Sequence, residues 1–271
     1  MKLGFIGAGN MAGAIMGGVL EKGFLPASEI AIYDVNPDQC SRMREQHAIR
    51  VALSQEELIR QCEFIVLAVK PVYLRGVLES AAPFANGKRF LSIAAGWTSS
   101  MLTQVLDAKS GAQVLRTMPN TPALVGAGFT ALCEQNSLDA EAFAWAKELF
   151  KTLGEVAVLP ENLFDAVIAT TGSSPAYVFM FIEAMADGAV AQGMPRALAY
   201  RAAAQAVYGA AKMVLETGEH PAALKDMVCS PAGTTIEAVA TLERTGFRTS
   251  VIEAMQACAT KSRQLSTTAK A

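Results

Sequence analysis

A glycine-rich turn at residues 7–13 constrains this chain most, because it directly follows a short apolar run. Residues 3–6, Leu-Gly-Phe-Ile, are suited to a buried parallel strand. The turn reads Gly7-x-Gly9-x-x-Ala12, a dinucleotide-binding pattern with alanine in third place. Gly7 allows the tight turn, Gly9 lets the backbone approach a pyrophosphate, and Ala12 is small enough for helix-on-strand packing. The pattern predicts a nucleotide site, with an ordinary glycine turn as the alternative.

A helix predicted at about residues 11–22 strengthens this interpretation. Its first N–H groups and the positive end of its dipole would point at a phosphate bound by the turn. The residues expected to touch the cofactor here are Ile6, Gly7, Ala8, Gly9, Asn10 and Met11.

Strand and helix signals alternate through the first half of the chain. Strands are predicted at residues 30–33, 50–52, 64–69, 89–93 and 113–116, with helical stretches between most of them. This order implies right-handed crossovers and a parallel sheet, the α/β class of a Rossmann domain. A ligand of such a sheet lies at the carboxyl ends of the strands. Further cofactor contacts are therefore expected from Ala68, Val69, Lys70, Pro71, Ala94, Ala95 and Gly96.

The choice of cofactor depends on Asp34, at the end of the second predicted strand. An acidic residue there accepts hydrogen bonds from the adenosine ribose and repels a 2′-phosphate. Asn36 is placed in the same site, although Asp34-x-Asn36-Pro37 is also a typical turn sequence. Arg42 and Arg44 on the next helix are within possible reach of a phosphate, so the sequence leaves NADH and NADPH both open.

The second half changes character, since strand signals vanish from about residue 162. Helices are predicted at 175–192, 195–217 and 234–244, with a last helix after Gly246. Residues 177–182 are apolar on every face, which indicates burial against a second copy. We therefore expect a dinucleotide-binding domain at residues 1–160 and a helical dimerisation and substrate-binding domain at residues 161–271.

Composition excludes several classes of function. The formal net charge of −2 offers no electrostatic footprint for nucleic acid or an anionic membrane. The five cysteines are scattered and form no CxxC pair, so no metal site is expected and reduced thiols are the simpler interpretation. No apolar run approaches the roughly 20 residues of a membrane span, and the N-terminus begins directly with a strand rather than a signal peptide. A cytoplasmic protein is expected.

Three further motifs carry a resemblance. They are Met118-Pro119-Asn120-Thr121-Pro122, Gly172-Ser173-Ser174-Pro175-Ala176-Tyr177 and Cys229-Ser230-Pro231-Ala232-Gly233-Thr234-Thr235. With the glycine-rich turn, they resemble the pyrroline-5-carboxylate reductase family over essentially the whole chain. That resemblance implies reduction of 1-pyrroline-5-carboxylate to L-proline with NADPH or NADH, by a homo-oligomer built from dimers. The chain departs from the usual family pattern at Ser174 and Ala232, where glycine is common.

The loop at residues 230–235 is the candidate substrate site. Backbone N–H groups from Gly233 to Thr235, where a helix opens, would hold a carboxylate without a positive side chain. In the family interpretation the Thr235 hydroxyl faces the ring nitrogen, which makes Thr235 the catalytic candidate. Plain helix capping is the alternative for these hydroxyl side chains. The expected substrate contacts are Ser230, Gly233, Thr234 and Thr235.

Other residues keep two interpretations each. Asn120 either holds its loop together or bonds the nicotinamide amide. Ser173 is assigned to capping and to packing against the nicotinamide. Tyr177 is expected in the core rather than in catalysis, and His220 is expected to start a helix rather than to act as a general acid.

The chemistry also favours a cyclic imine as substrate. A protonated iminium is already an electrophile, so hydride addition to it needs few ionisable groups beyond those that position the ring. Hydroxy-acid reduction needs a proton donor, yet residues 164–195 contain no Lys, Arg or His. Reduction of another cyclic imine acid or a small hydroxy acid, and a non-catalytic nucleotide-sensing role, remain the alternatives.

Overall fold

A computed structural model of the chain describes residues 1–106 and 111–268. The chain divides into two compact units, Met1–Ser173 together with the end of the chain from Cys258, and Ser174–Ala257. The structural division thus falls at Ser173, whereas the division predicted from the sequence falls at residue 160. Residues 107–110 and 269–271 of the two predicted domains lie outside the described residues.

The first unit is built on a sheet whose described strands run in the order β3-β2-β1-β4-β5-β6-β7-β8. Strands β1 to β6 are mutually parallel, and their positions confirm the five predicted strands and the opening one. The bounds are β1 Leu3–Ile6, β2 Ile30–Tyr33, β3 Arg50–Val51, β4 Phe64–Leu67, β5 Arg89–Ser92, β6 Gln113–Met118, β7 Gly128–Cys133 and β8 Gly154–Leu159.

The parallel arrangement expected for the predicted strands holds from β1 to β6 and ends at β7. This strand runs antiparallel to β6, and β8 then runs parallel to β7. The connection from Met118 to Gly128 holds only the 3₁₀ turn Thr121–Val125, whereas a parallel crossover needs a dozen or more residues. Neither β7 nor β8 was predicted from the sequence. Strand β4 is also shorter than predicted, since it ends at Leu67 and leaves Ala68 and Val69 in the following loop.

The helices cover the sheet and then form the second unit. Those of the first unit are α1 Asn10–Glu21, α2 Pro37–His47, α3 Gln55–Gln61, α4 Pro71–Ala81, α5 Ser99–Val105, α6 Ala140–Lys151 and the short α7 Phe164–Val167. The later ones are α8 Ser174–Ala191, α9 Arg196–Thr217, α10 Pro221–Val228, α11 Thr234–Arg244 and α12 Phe247–Thr268. The part of α12 from Cys258 onward belongs to the first unit.

Two apolar clusters cover the two faces of the sheet. Phe5 and Phe64 pack into one cluster, while their neighbours Ile6 and Ile65 pack into the other, because successive residues of a strand point to opposite faces. Both phenylalanines are buried almost completely. Full burial of each such side chain contributes about 1.5–3 kcal/mol to stability. A sheet covered on both faces explains why its central strands are apolar throughout.

The second unit has little core of its own. Its buried cluster consists of Ala186, Ala199 and Ala203, at the packed surface between α8 and α9. Small side chains allow these helices to approach closely, but they bury little area. Large apolar side chains such as Phe179 and Met180 are 65% and 69% exposed in the single chain. No described helix is long and apolar enough to cross a membrane.

Candidate active site

The glycine-rich turn has the geometry that its sequence predicts. Gly7 has φ +105°, and a Cβ atom at this position would stand 2.5 Å from the carbonyl oxygen of Ala68. Its N–H donates to the carbonyl of Tyr33 at 2.8 Å, which ties β1 to β2. Gly9 differs, because it has an ordinary φ of −77° and no described atom lies within 4 Å of a Cβ placed there. The turn therefore needs Gly7 for folding, while Gly9 keeps a surface open.

Helix α1 begins directly after Gly9 and presents an uncapped end. Gly9 is the N-cap residue and provides no side-chain acceptor, and the first turn contains no acidic residue. The first N–H groups of a helix have no acceptor within it, and they carry the positive end of its dipole. Ala12 is fully buried, as its packing role requires. Glycine, open space and free N–H groups together fit a pyrophosphate.

Asp34 links this turn to the end of β2. Its Oδ2 atom accepts a hydrogen bond from the N–H of Ala8 at 2.7 Å, and its Oδ1 atom accepts one from the N–H of Asn36 at 2.8 Å. Asn36 in turn caps α2 by accepting a bond from the N–H of Asp38. The turn interpretation of Asp34 is therefore correct, and the same contacts fix its carboxylate beside the glycine-rich turn. A carboxylate oxygen that accepts one bond can accept a second.

A cavity of about 430 Å³ opens beside these strand ends. Its lining includes eight of the predicted cofactor residues, namely Ile6, Gly7, Gly9, Asp34, Asn36, Ala68, Val69 and Lys70. Sequence reasoning missed six others, Tyr33, Val35, Gln39, Gln55, Tyr73 and Val77. Tyr33 and Val35 flank Asp34, so their place in the lining could have been predicted from that of Asp34. Tyr73 and Val77 lie on α4, where only the tertiary structure shows which face meets the cavity.

The remaining predicted cofactor residues do not line this cavity. Ala8 contributes through its N–H bond to Asp34, and Pro71 begins α4. The loop at residues 94–96 follows β5, which neighbours β4 and stands two strands from β1, so this loop lies at the same sheet edge. There Gly96 has φ +80°, and a Cβ atom on it would lie 3.4 Å from Leu265 of α12. Asn10 and Met11 occupy the first turn of α1.

Asn120 holds the loop after β6. Its side-chain nitrogen donates to the carbonyl of Thr171 at 2.9 Å, and its side-chain oxygen accepts from the N–H of Phe129 at 2.9 Å. The residue is only 8% exposed. These contacts support the loop-holding interpretation, and a bond to a nicotinamide amide stays a prediction.

Ser173 is held by the last helix. Its hydroxyl accepts a hydrogen bond from the Cys258 thiol at 3.2 Å. One turn further along α12, the Ser262 hydroxyl donates to Asp165 at 2.5 Å. No local sequence pattern indicates these two bonds, because the partners are more than 80 residues apart along the chain.

The candidate substrate loop forms a tight turn within the second unit. The N–H of Gly233 donates to the carbonyl of Ser230 at 3.0 Å, with Pro231 and Ala232 between them. Ala232 has φ +58°, the left-handed conformation that the third position of a type II turn requires and that glycine adopts most easily. Ala232 therefore replaces the glycine that is common in the family at a position where the backbone conformation is strained for alanine.

Helix α11 starts at Thr234 with Gly233 as its N-cap residue, which offers no side-chain acceptor. We expected three successive N–H groups, from Gly233 to Thr235, to point to a ligand. The N–H of Gly233 instead donates to the carbonyl of Ser230. The N–H groups of Thr234 and Thr235 lie in the first turn, which has no acceptor for them within the helix. Thr235 is half-buried and Thr234 is exposed.

Two other sequence predictions concern side chains of the second unit. His220 is the N-cap residue of α10, where its Nδ1 atom accepts from the N–H of Ala222 at 3.2 Å, so the turn interpretation is confirmed. Tyr177 is half-buried rather than in a closed core. It lines an apolar cavity of ≈ 1060 Å³ together with Met180, Phe181 and Phe247. Among the described residues, no group of three His, Cys, Asp or Glu side chains is placed to hold a metal ion.

Comparison with known proteins identifies the family. The family model for pyrroline-5-carboxylate reductase dimerisation matches residues 161–265, and a model described as NADP oxidoreductase coenzyme F420-dependent matches residues 2–96. A relative from Escherichia coli (strain K12) named pyrroline-5-carboxylate reductase is 48% identical over 266 residues, which covers 98% of each chain. The chain belongs to the pyrroline-5-carboxylate reductase family.

Solved structures of pyrroline-5-carboxylate reductases agree with this assignment. The Plasmodium falciparum pyrroline carboxylate reductase, solved with NADP bound, superposes with a TM-score of 0.89 at 29% identity over 98% of both chains. The Streptococcus pyogenes 1-pyrroline-5-carboxylate reductase gives 0.87 at 32% identity, over 97% of this chain and 98% of that one. The predicted fold class, a Rossmann domain followed by a helical dimerisation domain, is confirmed.

Proposed function

We propose that this protein reduces 1-pyrroline-5-carboxylate to L-proline with NADPH or NADH, the last step of proline biosynthesis. The observation that carries the proposal is the identity of 48% to a pyrroline-5-carboxylate reductase over nearly the full length of both chains. The chain also keeps the local features that the reaction needs, which are an open glycine-rich turn and an uncapped helix in the substrate loop.

The first unit binds the cofactor. The reduced nicotinamide supplies a hydride, two electrons and one proton nucleus, to the carbon of the C=N bond. The residues at the start of α1 bind the pyrophosphate, because Gly9 leaves space there and the first N–H groups are free. Asp34 and the cavity beside it take the adenosine half. Ala94, Ala95, Gly96, Asn120 and Ser173 remain our candidates for the nicotinamide half.

The loop before α11 binds the substrate. The N–H groups of Thr234 and Thr235 hold the ring carboxylate, an anion at the positive end of a helix dipole. The Thr235 hydroxyl bonds the ring nitrogen and orients the protonated iminium for attack. The product amine keeps the nitrogen-bound proton, so no general acid is required, in agreement with the lack of Lys, Arg and His in residues 164–195.

We further propose the organisation of the whole protein. Residues 1–160 serve as the dinucleotide-binding domain, and residues 161–271 serve in dimerisation and substrate binding. The exposed apolar side chains of α8 and the cavity beside them are covered by a second copy, and the dimers assemble into a homo-oligomer. We place the protein in the cytoplasm.

The test is a spectrophotometric assay of nicotinamide oxidation. The protein should oxidise NADH or NADPH with saturable dependence on 1-pyrroline-5-carboxylate and release L-proline. No turnover at high enzyme concentration would contradict the proposal. A six-membered cyclic imine acid in the same assay separates the closest alternative substrate class.

Thr235 offers a residue-level test. Thr235→Ala should lower kcat by about 10–100-fold, the effect of losing one hydrogen bond to a charged group. Thr235→Ser is the matched control, because it keeps the hydroxyl and should retain most of the activity. Neither variant should change dinucleotide affinity more than about twofold by the same hydrogen-bond reasoning. A large loss of cofactor binding would contradict the role assigned to Thr235.

A further inference from the structure

We propose that the adenosine end of the cofactor cavity selects NADH over NADPH. This inference rests on the proposed function, since it concerns the dinucleotide that the reductase uses. The two cofactors differ only in a phosphate on the 2′-hydroxyl of the adenosine ribose. Selection between them must therefore come from the charges that surround that hydroxyl.

Asp34 places a fixed carboxylate at this position. The N–H groups of Ala8 and Asn36 hold one oxygen each, at 2.7 and 2.8 Å, so the carboxylate cannot turn away without losing both bonds. Each oxygen still has a lone pair to accept a bond from a ribose hydroxyl. A 2′-phosphate brings negative charge and no donor to the same place.

The turn that follows β2 adds no compensating cation. Residues 34–38 read Asp-Val-Asn-Pro-Asp, with two acidic side chains and no basic one. Arg42 is exposed on α2, and its guanidinium donates to the side chain of Gln39. An NADP-selective site normally offers an arginine close to the 2′-phosphate. Here Arg42 and Arg44 lie at least a full helical turn beyond this segment and neither lines the cavity. Arg42 also already has a partner.

Lys70 is the one cation among the described residues that line the cavity. It follows β4, and β1 stands between β4 and β2 in the sheet. Two strand spacings place its backbone about 10 Å from that of Asp34. The same loop touches the glycine-rich turn, because the Ala68 carbonyl approaches Gly7, and Gly7 and Gly9 are where we place the pyrophosphate. Lys70 therefore serves a group that NADH and NADPH share.

The same cavity provides an internal reference. Tyr73 and Val35 line it with side chains that are 63% and 87% exposed, and they suit the flat adenine ring. Adenine is common to both cofactors. A change at Tyr73 should therefore alter affinity without altering selectivity, in contrast to a change at Asp34.

The decisive experiment measures binding directly, by calorimetry with ADP-ribose and 2′-phospho-ADP-ribose. The wild-type protein should bind ADP-ribose at least about tenfold more tightly, because the partly buried Asp34 carboxylate repels a second negative charge beside it. Asp34→Asn, which keeps the shape and one oxygen acceptor, should shift the ratio of the two dissociation constants about tenfold toward the phosphorylated ligand.

Two variants act as controls. Tyr73→Ala should weaken both ligands by the same factor, because only the adenine contact is lost. Lys70→Met should also weaken both ligands equally. A selective loss of 2′-phospho-ADP-ribose binding in Lys70→Met would overturn the inference, since it would show that the 2′-phosphate has a cationic partner.

The remaining outcomes separate this inference from the proposed function. Equal or tighter binding of 2′-phospho-ADP-ribose by the wild-type protein overturns the NADH selection and leaves the reductase proposal standing. Binding of neither ligand overturns both, because the dinucleotide site itself fails. With intact ADP-ribose binding, kcat/KM for NADH should exceed that for NADPH. Absence of turnover with both would contradict the reductase proposal alone.

Discussion

The carbonyl oxygen of Ala68 lies 2.5 Å from the point where a Cβ atom on Gly7 would stand. Gly7 also has φ +105°, a conformation that L side chains rarely adopt. Two strand ends thus approach so closely that only glycine fits between them. Gly9, two residues later, has neither restriction, so the two glycines of one motif have separable roles.

This separation predicts different outcomes for two alanine variants. Gly7→Ala should lower the free energy of unfolding by more than about 2 kcal/mol, because strain and a backbone clash combine. Gly9→Ala should change stability by less than about 0.5–1 kcal/mol. Its methyl group should enter the proposed pyrophosphate site and weaken dinucleotide binding at least tenfold, a loss of about 1.4 kcal/mol of binding free energy. Urea unfolding and calorimetry measure the two effects. A Gly7→Ala protein as stable as the wild type would refute the structural role.

An ion pair between a buried arginine and a partly buried glutamate in the first unit predicts a second effect. Arg116 is 4% exposed, and one oxygen of Glu161 accepts bonds from Arg116 at 3.1 Å and from the N–H of Ser99 at 2.7 Å. Glu161→Ala leaves the guanidinium buried without this partner, and should destabilise the protein by about 3 kcal/mol. Arg116→Met combined with Glu161→Leu should recover much of that loss. Urea unfolding of the variants checks this, and additive effects would contradict the coupling.

The substrate loop predicts a stabilising substitution. Ala232 holds φ +58°, which disfavours any residue with a Cβ atom. Ala232→Gly should therefore raise the free energy of unfolding by about 1 kcal/mol. Ala223→Gly, within α10, is the matched control and should lower stability by a similar amount. Thermal unfolding compares them, and a lower Tm for Ala232→Gly would contradict the strain.

The Cys62 thiol predicts a loss of stability at alkaline pH. Burial raises its pKa from 9.0 to about 11. Between these two values the unfolded chain loses the thiol proton and the folded protein keeps it, so the folded state binds more protons and stability falls as pH rises. The contribution is fully present below pH 9. In urea unfolding, the wild-type and Cys62→Ala curves of stability against pH should converge above pH 9. Parallel curves would contradict the shift.

The exposed apolar surface of α8 predicts a change of oligomeric state. Met180 is 69% exposed in the single chain and lines the apolar cavity of the second unit. Met180→Glu places a charge on the surface that a second copy covers, so it should shift the protein from oligomer to monomer. Ala144→Glu, on an exposed position of α6 in the first unit, should leave the oligomer intact. Light scattering after size-exclusion chromatography measures both masses.

Local sequence signals were sufficient where one residue type is physically required. Gly7 and Gly9 mark the glycine-rich turn between β1 and α1, and α11 begins and ends at the predicted residues, Thr234 and Arg244. Strand β7 was not predicted. Its antiparallel direction depends on the short connection after β6 rather than on its own residues, so no local pattern indicates it. The bond between Ala8 and Asp34 joins positions 26 residues apart, so no local pattern shows it.

By itself, the sequence determined the class of fold, the family and the position of the glycine-rich turn, because glycine conformation, apolar runs and motif spacing are local properties. The tertiary structure alone decided that Asp34 is held by two backbone N–H groups, that Tyr73 lines the cavity beside Asp34 and that Cys258 bonds Ser173. Each of these contacts joins distant parts of the chain. Their geometry is set by how strands and helices pack, which no single stretch of residues encodes.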